Sequence, residues 1–446
     1  MASAAEQMAA NMSLSGFSKA TDLHKRILFT LGALIIFRLG TYIPVPGVDG
    51  SVMAQLMTKN GNGLLGMFNM FTGGALGRMT IFALNILPFI SASIIIQLMS
   101  STIPALEAIK KEGDSGRQRI TQYTRYLTVF IATAQAYGIA VSLERVHGSA
   151  GAAVIDPGFF FIFTAVVTLV GGTVFVMWLG EQITSRGIGN GSSLIIFAGI
   201  VANMPVAIAD ILELGSTGAL STFFIIVVFV IAFLIIGFVV FMERAQRRIL
   251  VQHPKRQIGQ KVFGGEANYM PLKVNASGVM PPIFASSLLV IPATLVGFSA
   301  GGPGWLQGVA RVLSRGQPLY YVLFASLIIA FSFVWAAIAF NPEETADNLK
   351  KSGAFIPGIR PGQNTARYFD TVLTRLTAIG GLYLVVVCLI PDFGMSHYAL
   401  PFYFGGTSLL IIVSVTMDTM TQVYSYLLAH QYQGLLRKGR GSKARK

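Results

Sequence analysis

The chain has 446 residues, 53% of them hydrophobic and only 12% charged, with a formal net charge of +14 and a mean hydropathy of +0.64. A soluble domain carries about twice that charged fraction, so the composition excludes a soluble globular protein and indicates an integral membrane protein with many spans. One cysteine, Cys388, excludes a disulfide within the chain and a metal–thiolate cluster, and five histidines stand too far apart in sequence to form a metal site by local spacing.

Residues 1–20 are polar and rich in small side chains, without the apolar core of a cleavable signal, and 1–26 read as an N-terminal cytoplasmic segment. Ten apolar segments follow, at 27–43, 78–101, 121–142, 158–180, 192–209, 219–242, 277–298, 319–340, 371–390 and 404–426. Each reads as a helix, because a lipid-embedded backbone must satisfy its own hydrogen bonds. The short alternating segments of a barrel are not seen. Between the first two spans lies "GLLGMFNMFTGGALGR", residues 63–78, whose apolar run ends after about eleven residues at Gly73-Gly74. Eleven helical residues reach about 17 Å, against a hydrocarbon core of about 30 Å. The segment enters the membrane without crossing it. In the second span, "TIFALNILPFISASIIIQL", Ile86 and Ile90 share a helix face and Pro88 predicts a kink. Asn85, Ser91, Ser93 and Gln97 supply polar points that a lipid-facing helix does not need. "GIGNGSS", residues 187–193, lacks the strand and the lysine of a phosphate loop and reads as a turn and helix start.

Ten spans put both termini on one side of the membrane. Of the 33 Lys and Arg, 25 fall on the termini and the connections after spans 2, 4, 6 and 8. Only Lys59, Arg145, Arg311 and Arg315 fall on the opposite connections. The positive-inside rule therefore predicts cytoplasmic termini. Two long basic loops share that side, at about 243–276 and 341–370. Anionic lipid accounts for basic residues near span ends, whereas loops of this reach suit docking of an acidic or RNA-rich partner.

Ionisable residues are nearly absent from mid-span positions, where a solute transporter or pump places them. Arg38 lies in the outer part of the first span and Asp418 toward the cytoplasmic end of the tenth. No pair of membrane carboxylates and no Ser with a His or Lys base can be assembled, which argues against an intramembrane protease. A conduit through such a protein is closed sterically or by an apolar constriction. The five-plus-five count suits an inverted repeat.

Ten motifs then occur in order: "FRLGTYIPVPGVD", "MFNMFTGGALGR", "FISASIIIQL", "IKKEGDSGRQRITQYTRY", "MWLGEQITSRGIGNG", "ERAQRRI", "PLKVN", "IFASS", "NPEETADNLKKSGAFIPGIRPG" and "PFYFGGTSLLI". From about Phe17 to Lys438 the chain resembles the SecY family, the central subunits of bacterial protein-conducting channels. The resemblance implies an all-α fold of two five-helix halves, 27–214 and 215–426, with a basic cytoplasmic tail at 427–446. It implies a plug at about 64–72, carrying Leu64, Leu65, Met67, Phe68, Asn69, Met70 and Phe71, on a hinge at Gly73 and Gly74. The implied pore ring is Ile86, Ile90, Ser192, Ile196, Ile283 and Ile411. Ser192 stands where isoleucine is frequent, which predicts a smaller and wetter constriction. Polar contacts across a lateral gate fall on Ser91, Gln135 and Asn275. Partner docking falls on Arg248, Lys255, Arg256, Lys261 and Arg360, with Gln260 where a basic residue is frequent. The implied partners are the small membrane subunits SecE and SecG, the motor ATPase SecA, the ribosome with its RNA, precursor proteins and membrane lipids. No cofactor and no enzymatic activity are implied.

Overall fold

The computed structural model describes residues 21–50, 52–53, 69, 72–145, 147–148, 151–218, 221–253, 256–258, 261–263, 267–297, 317–398 and 405–443. In chain order these form α1 (Thr21–Gly40), α2 (Leu87–Thr102), α3 (Pro104–Lys111), α4 (Asp114–Arg145), β1 (His147–Gly148), β2 (Gly151–Ala152), α5 (Phe159–Arg186), α6 (Gly191–Ser216) and α7 (Thr222–Arg244). There follow β3 (Gln246–Gln252), β4 (Arg256–Ile258), β5 (Lys261–Phe263), β6 (Ala267–Lys273), α8 (Met280–Gly297), α9 (Pro318–Ala339), α10 (Pro342–Lys351), α11 (Gln363–Tyr398) and α12 (Gly406–Lys443).

Among the described residues, six helical stretches are long and apolar enough to cross a membrane: Asp114–Glu144, Phe159–Arg186, Gly191–Ser216, Thr222–Arg244, Pro318–Lys351 and Gln363–Pro391. The bent pair α2–α3 meets the same measure only when its two helices are taken together, and it turns by 97° at the break before Pro104. Proline lacks the N–H that would carry a helix on, and it restricts the residue before it. The protein is thus a multi-pass helical membrane protein. The remaining apolar segments of the sequence fall on α1, α8 and α12.

The second span departs from expectation. Its helix starts at Leu87 instead of 78, and residues 72–86 form successive turns. Met79 and Asn85 adopt φ of 46° and 50°, a conformation that no helix continues through. Pro88 therefore occupies the first helical turn, where its missing N–H costs nothing, and it does not kink the span. The loop at 243–276 also departs from expectation, because it folds as β-ribbon. β3 pairs with β6 antiparallel from Gln246↔Lys273 to Gln252↔Ala267, and β4 pairs with β5. The basic tail continues α12 as helix to Lys443.

The chain divides into two compact units. The first comprises residues 1–92, 124–206 and 411–446, and the second 93–123 and 207–410. A core in the first unit gathers Val45, Val48, Leu76, Met79, Ala136, Ala140, Ala165 and Leu169 from the stretch 45–79, α4 and α5. The alanines let these elements approach closely, as small residues do where lipid supplies no hydrophobic drive between helices. On the same two helices Arg125 and Glu181 form a two-pronged ion pair, 2.9 Å (Nε to Oε1) and 2.7 Å (Nη2 to Oε2). Arg125 stands within the apolar segment 121–142, and Glu181 supplies its counter-charge. Arg125→Ala and Glu181→Ala are each expected to lower the melting temperature in detergent. A double-mutant cycle should return a coupling of about 1 kcal/mol; strict additivity would show the pair to be inert.

Candidate functional site

The ring positions of the first unit are set by how tightly residues 81–82 are held. Phe82 stacks between Phe37 of α1 and Phe175 of α5, with ring centroids 6.0 and 5.8 Å apart. Gly40 and Gly172 make room for it: a Cβ on Gly40 would strike the Phe82 ring, and one on Gly172 would strike the Ile81 carbonyl oxygen. Asn85 then turns the chain into α2. Ile86 follows at 1% exposure and Ile90 at 7%. The tip of Ile86 packs beside that of Ile195 over Gly180 of α5, each 3.4 Å from the position a Cβ would take there. Ile196 and Ile411 are buried as well. In the second unit Ile283 is buried near the start of α8. All five isoleucines are thus interior side chains, whereas a residue such as Phe223 on α7 is 77% exposed.

Ser192 is half-buried and its hydroxyl is committed. Its Oγ donates to Asn190 Oδ1 at 2.6 Å. The same oxygen accepts from the backbone N–H of Ser192 at 3.1 Å and of Ser193 at 3.5 Å, capping the start of α6. The GIGN turn ahead of it is pinned from two sides. Thr30 Oγ1 accepts from the Ile188 N–H at 3.1 Å, and Gln422 Oε1 accepts from the Gly189 N–H at 2.8 Å. A Cβ on Gly191 would strike the Gly180 carbonyl. The sequence reading of a turn and helix start holds here.

Of the plug positions only Asn69 is described; Leu64, Leu65, Met67, Phe68, Met70 and Phe71 lie outside the described residues. Asn69 ties down the turns that follow. Its carbonyl accepts from the Gly74 N–H at 2.7 Å, and its Oδ1 accepts from the Gly77 N–H at 2.6 Å. Gly73 and Gly74 have φ of 68° and 84°, the left-handed region that glycine enters without penalty. Arg38 Nη1 donates to the Gly73 carbonyl at 2.8 Å, and Arg78 Nη2 donates to the same oxygen at 3.3 Å. The sequence reading singled out the glycines but missed the two arginines that close on them. Arg78, five residues past Gly73, was the available signal.

The three positions expected at a lateral gate have different surroundings. Ser91 is buried and Gln135 half-buried in the first unit. Asn275, in the second unit, donates from Nδ2 to Glu243 Oε1 at 2.6 Å and to the Gly278 carbonyl at 3.1 Å, and its Oδ1 accepts from Ser277 at 3.0 Å. Within the same unit Ile94, Gln97 and Leu98 of α2 face Phe284, Phe331 and Trp335 across a small gap. Phe284 meets Phe331 and Trp335 edge-on.

The two long basic loops of the sequence form one platform. Gln252 and Phe355 exchange backbone hydrogen bonds of 2.9 Å in both directions. Ile249 and Leu272 of the ribbon share a core with Ile356 and with Phe369, Val372 and Leu376 of α11. Asn341 caps α10 by accepting from the Glu343 and Glu344 N–H groups, with Pro342 at the first helical position. An open cleft of about 640 Å³ between α10 and the start of α11 is lined by Glu343, Asp347, Arg367 and Asp370. Arg248 and Arg360 are exposed on this platform. Arg256 and Lys261 sit in the paired strands β4 and β5, and Lys255 lies outside the described residues.

These features define a multi-pass helical membrane protein whose five expected ring isoleucines are interior side chains, with a glycine turn held by two arginines and a folded basic platform. The SecY family model matches residues 80–420. The chain is 54% identical over 424 residues to the protein translocase subunit SecY of Rickettsia typhi, covering 95% of this chain and 98% of that one. It is 55% identical over 419 residues to the subunit of the same name from Escherichia coli strain K12, covering 94% of each. The chain belongs to the SecY family. Its fold is also that of a solved protein-conducting channel, with a TM-score of 0.66 at 17% identity over 91% of this chain and 92% of that one. A channel described in terms of a SecY plug domain that stabilises its closed state gives 0.64 at 17% identity, with the same coverage. Sec61 in a canine ribosome–channel complex gives 0.60 at 15% identity, also with the same coverage.

Proposed function

We propose that the chain is a passive protein-conducting channel of a bacterial cytoplasmic membrane. The observation that carries this reading is the match along nearly the whole chain to translocase subunits SecY. Unfolded precursors pass between two five-helix halves arranged as an inverted repeat of ten spans, and both termini face the cytoplasm. Ile86, Ile90, Ser192, Ile196, Ile283 and Ile411 form a gasket around the passing chain; apolar side chains offer it no hydrogen bonds and resist ion flow by dewetting. Residues 64–72 plug the channel at rest. Apolar segments leave toward lipid between spans 2–3 and 7–8, driven by transfer free energy. Ser91, Gln135 and Asn275 line that seam, and hydrogen bonds of about 1 kcal/mol net each keep it closable without locking it.

The channel has no energy source of its own in this reading. SecA or a translating ribosome docks on the platform through Arg248, Lys255, Arg256, Lys261 and Arg360, and SecE and SecG complete the membrane complex. The exposure of Arg248 and Arg360 supports this part of the reading. The test is a photoreactive side chain at Ile86 or Ile283 in a channel holding a precursor stalled halfway. Crosslinks to the precursor's mature region are expected from both sites and not from Phe223. Their absence with the precursor demonstrably stalled would make the ring ordinary packing.

A further inference from the structure

We infer that Arg38 and Arg78 form a latch that holds the Gly73–Gly74 turn in its resting conformation. This rests on the reading of residues 64–72 as the plug, and it names the groups that hold the plug's attachment shut. Gly73 is the meeting point of three elements. Its own turn comes from the chain, Arg38 comes from the last turn of α1, and a Cβ at position 73 would lie 3.0 Å from the Gly199 α-carbon of α6. Its carbonyl accepts from both guanidinium groups, at 2.8 and 3.3 Å. Arg78 adds a bond from Nε to the Gly74 carbonyl at 3.3 Å. Arg38 adds one from Nη2 to the Tyr42 hydroxyl at 3.1 Å. Both cations also lie over the Tyr42 ring, Arg38 at 5.1 Å and Arg78 at 4.3 Å from its centroid.

Two guanidinium groups that share one carbonyl oxygen and one aromatic ring repel each other. The described residues place neither of them in a salt bridge. Their proximity is therefore held by the shared acceptor and by the ring. If the Gly73 peptide rotates, the shared acceptor is lost and the like charges drive apart. The turn thus has one held arrangement and one released arrangement, which is the property required of a two-state element. Glycine is required at both positions for φ and for space: a Cβ on Gly74 would lie 2.6 Å from Arg78 Nη2.

The test compares four proteins reconstituted in vesicles: wild type, Arg38→Ala/Arg78→Ala, Arg38→Lys/Arg78→Lys, and a deletion of 64–72. Resting ion leak and melting temperature are measured for each. The alanine pair is expected to leak about tenfold more than wild type at an unchanged melting temperature. The lysine pair keeps a donor within reach of Gly73 and is expected to restore the seal to within about threefold. An alanine pair as tight as wild type beside a leaking deletion would overturn the latch and leave the plug standing. A lysine pair as leaky as alanine would also overturn it, because the bond to Gly73 would not be the cause. A deletion that does not leak would remove the plug reading and the latch with it.

Discussion

Arg360→Glu is expected to lower motor-driven precursor export by about tenfold or more while the chain still reaches the membrane in normal amounts. The side chain is exposed, so its reversal leaves the core untouched. The loop is held through its backbone, the Arg360 carbonyl accepting from Thr365 Oγ1 at 3.1 Å. Beneath it the platform is fixed by Ile356, Phe369 and Val372, none of which the substitution alters. What changes is the charge offered to a partner. Placing like charges against each other across an interface costs several kcal/mol, and each 1.4 kcal/mol is about tenfold in affinity. Export into inverted vesicles, followed with and without the motor at rising concentration, separates weakened docking from a blocked pore. Normal export at limiting motor would move the docking surface elsewhere on the chain. Lowered chain levels would instead indicate a structural role for Arg360.

Neighbouring glycines give the second large effect. Gly171→Ala is expected to be neutral or slightly stabilising, because nothing lies within 4 Å of the added carbon and alanine is the better helix former. Gly172→Ala puts the same carbon against the Ile81 carbonyl oxygen. Overpacking of this kind costs about 1–3 kcal/mol, a fall of about 5 °C in melting temperature for a chain unit of this size. Its consequence reaches the proposed ring. Residues 81–82 are the support from which the turn at Asn85 launches α2, so displacing them shifts Ile86 away from Gly180. Resting leak is expected to rise for Gly172→Ala and not for Gly171→Ala. Equal behaviour of the two variants would show that the clamp on Phe82 does not position the ring.

Composition and periodicity determined the membrane class, several of the helical spans and the shortness of the apolar segment before Gly73-Gly74. Those properties are local: eleven apolar residues are too short to cross lipid whatever surrounds them, and the long apolar runs fall largely on helices. The motifs carried the family, because ten stretches in order are a one-dimensional signal. Three features depended on tertiary structure. The start of the second span moved from 78 to Leu87 because Met79 and Asn85, on either side of the stacked Phe82, take positive φ, which apolarity at 78–86 does not reveal. The loops at 243–276 and 341–370 lie about a hundred residues apart in sequence. Only the backbone exchange between Gln252 and Phe355 and the shared core of Ile249, Leu272 and Phe369 make them one platform. Arg38 and Arg78 looked like stray charges at span edges, and only the approach of α1 to the glycine turn brings both onto a single carbonyl oxygen. Local sequence sets what each segment is, through backbone and lipid constraints. Which side chains meet depends on contacts between segments distant in the chain, and no single segment encodes those.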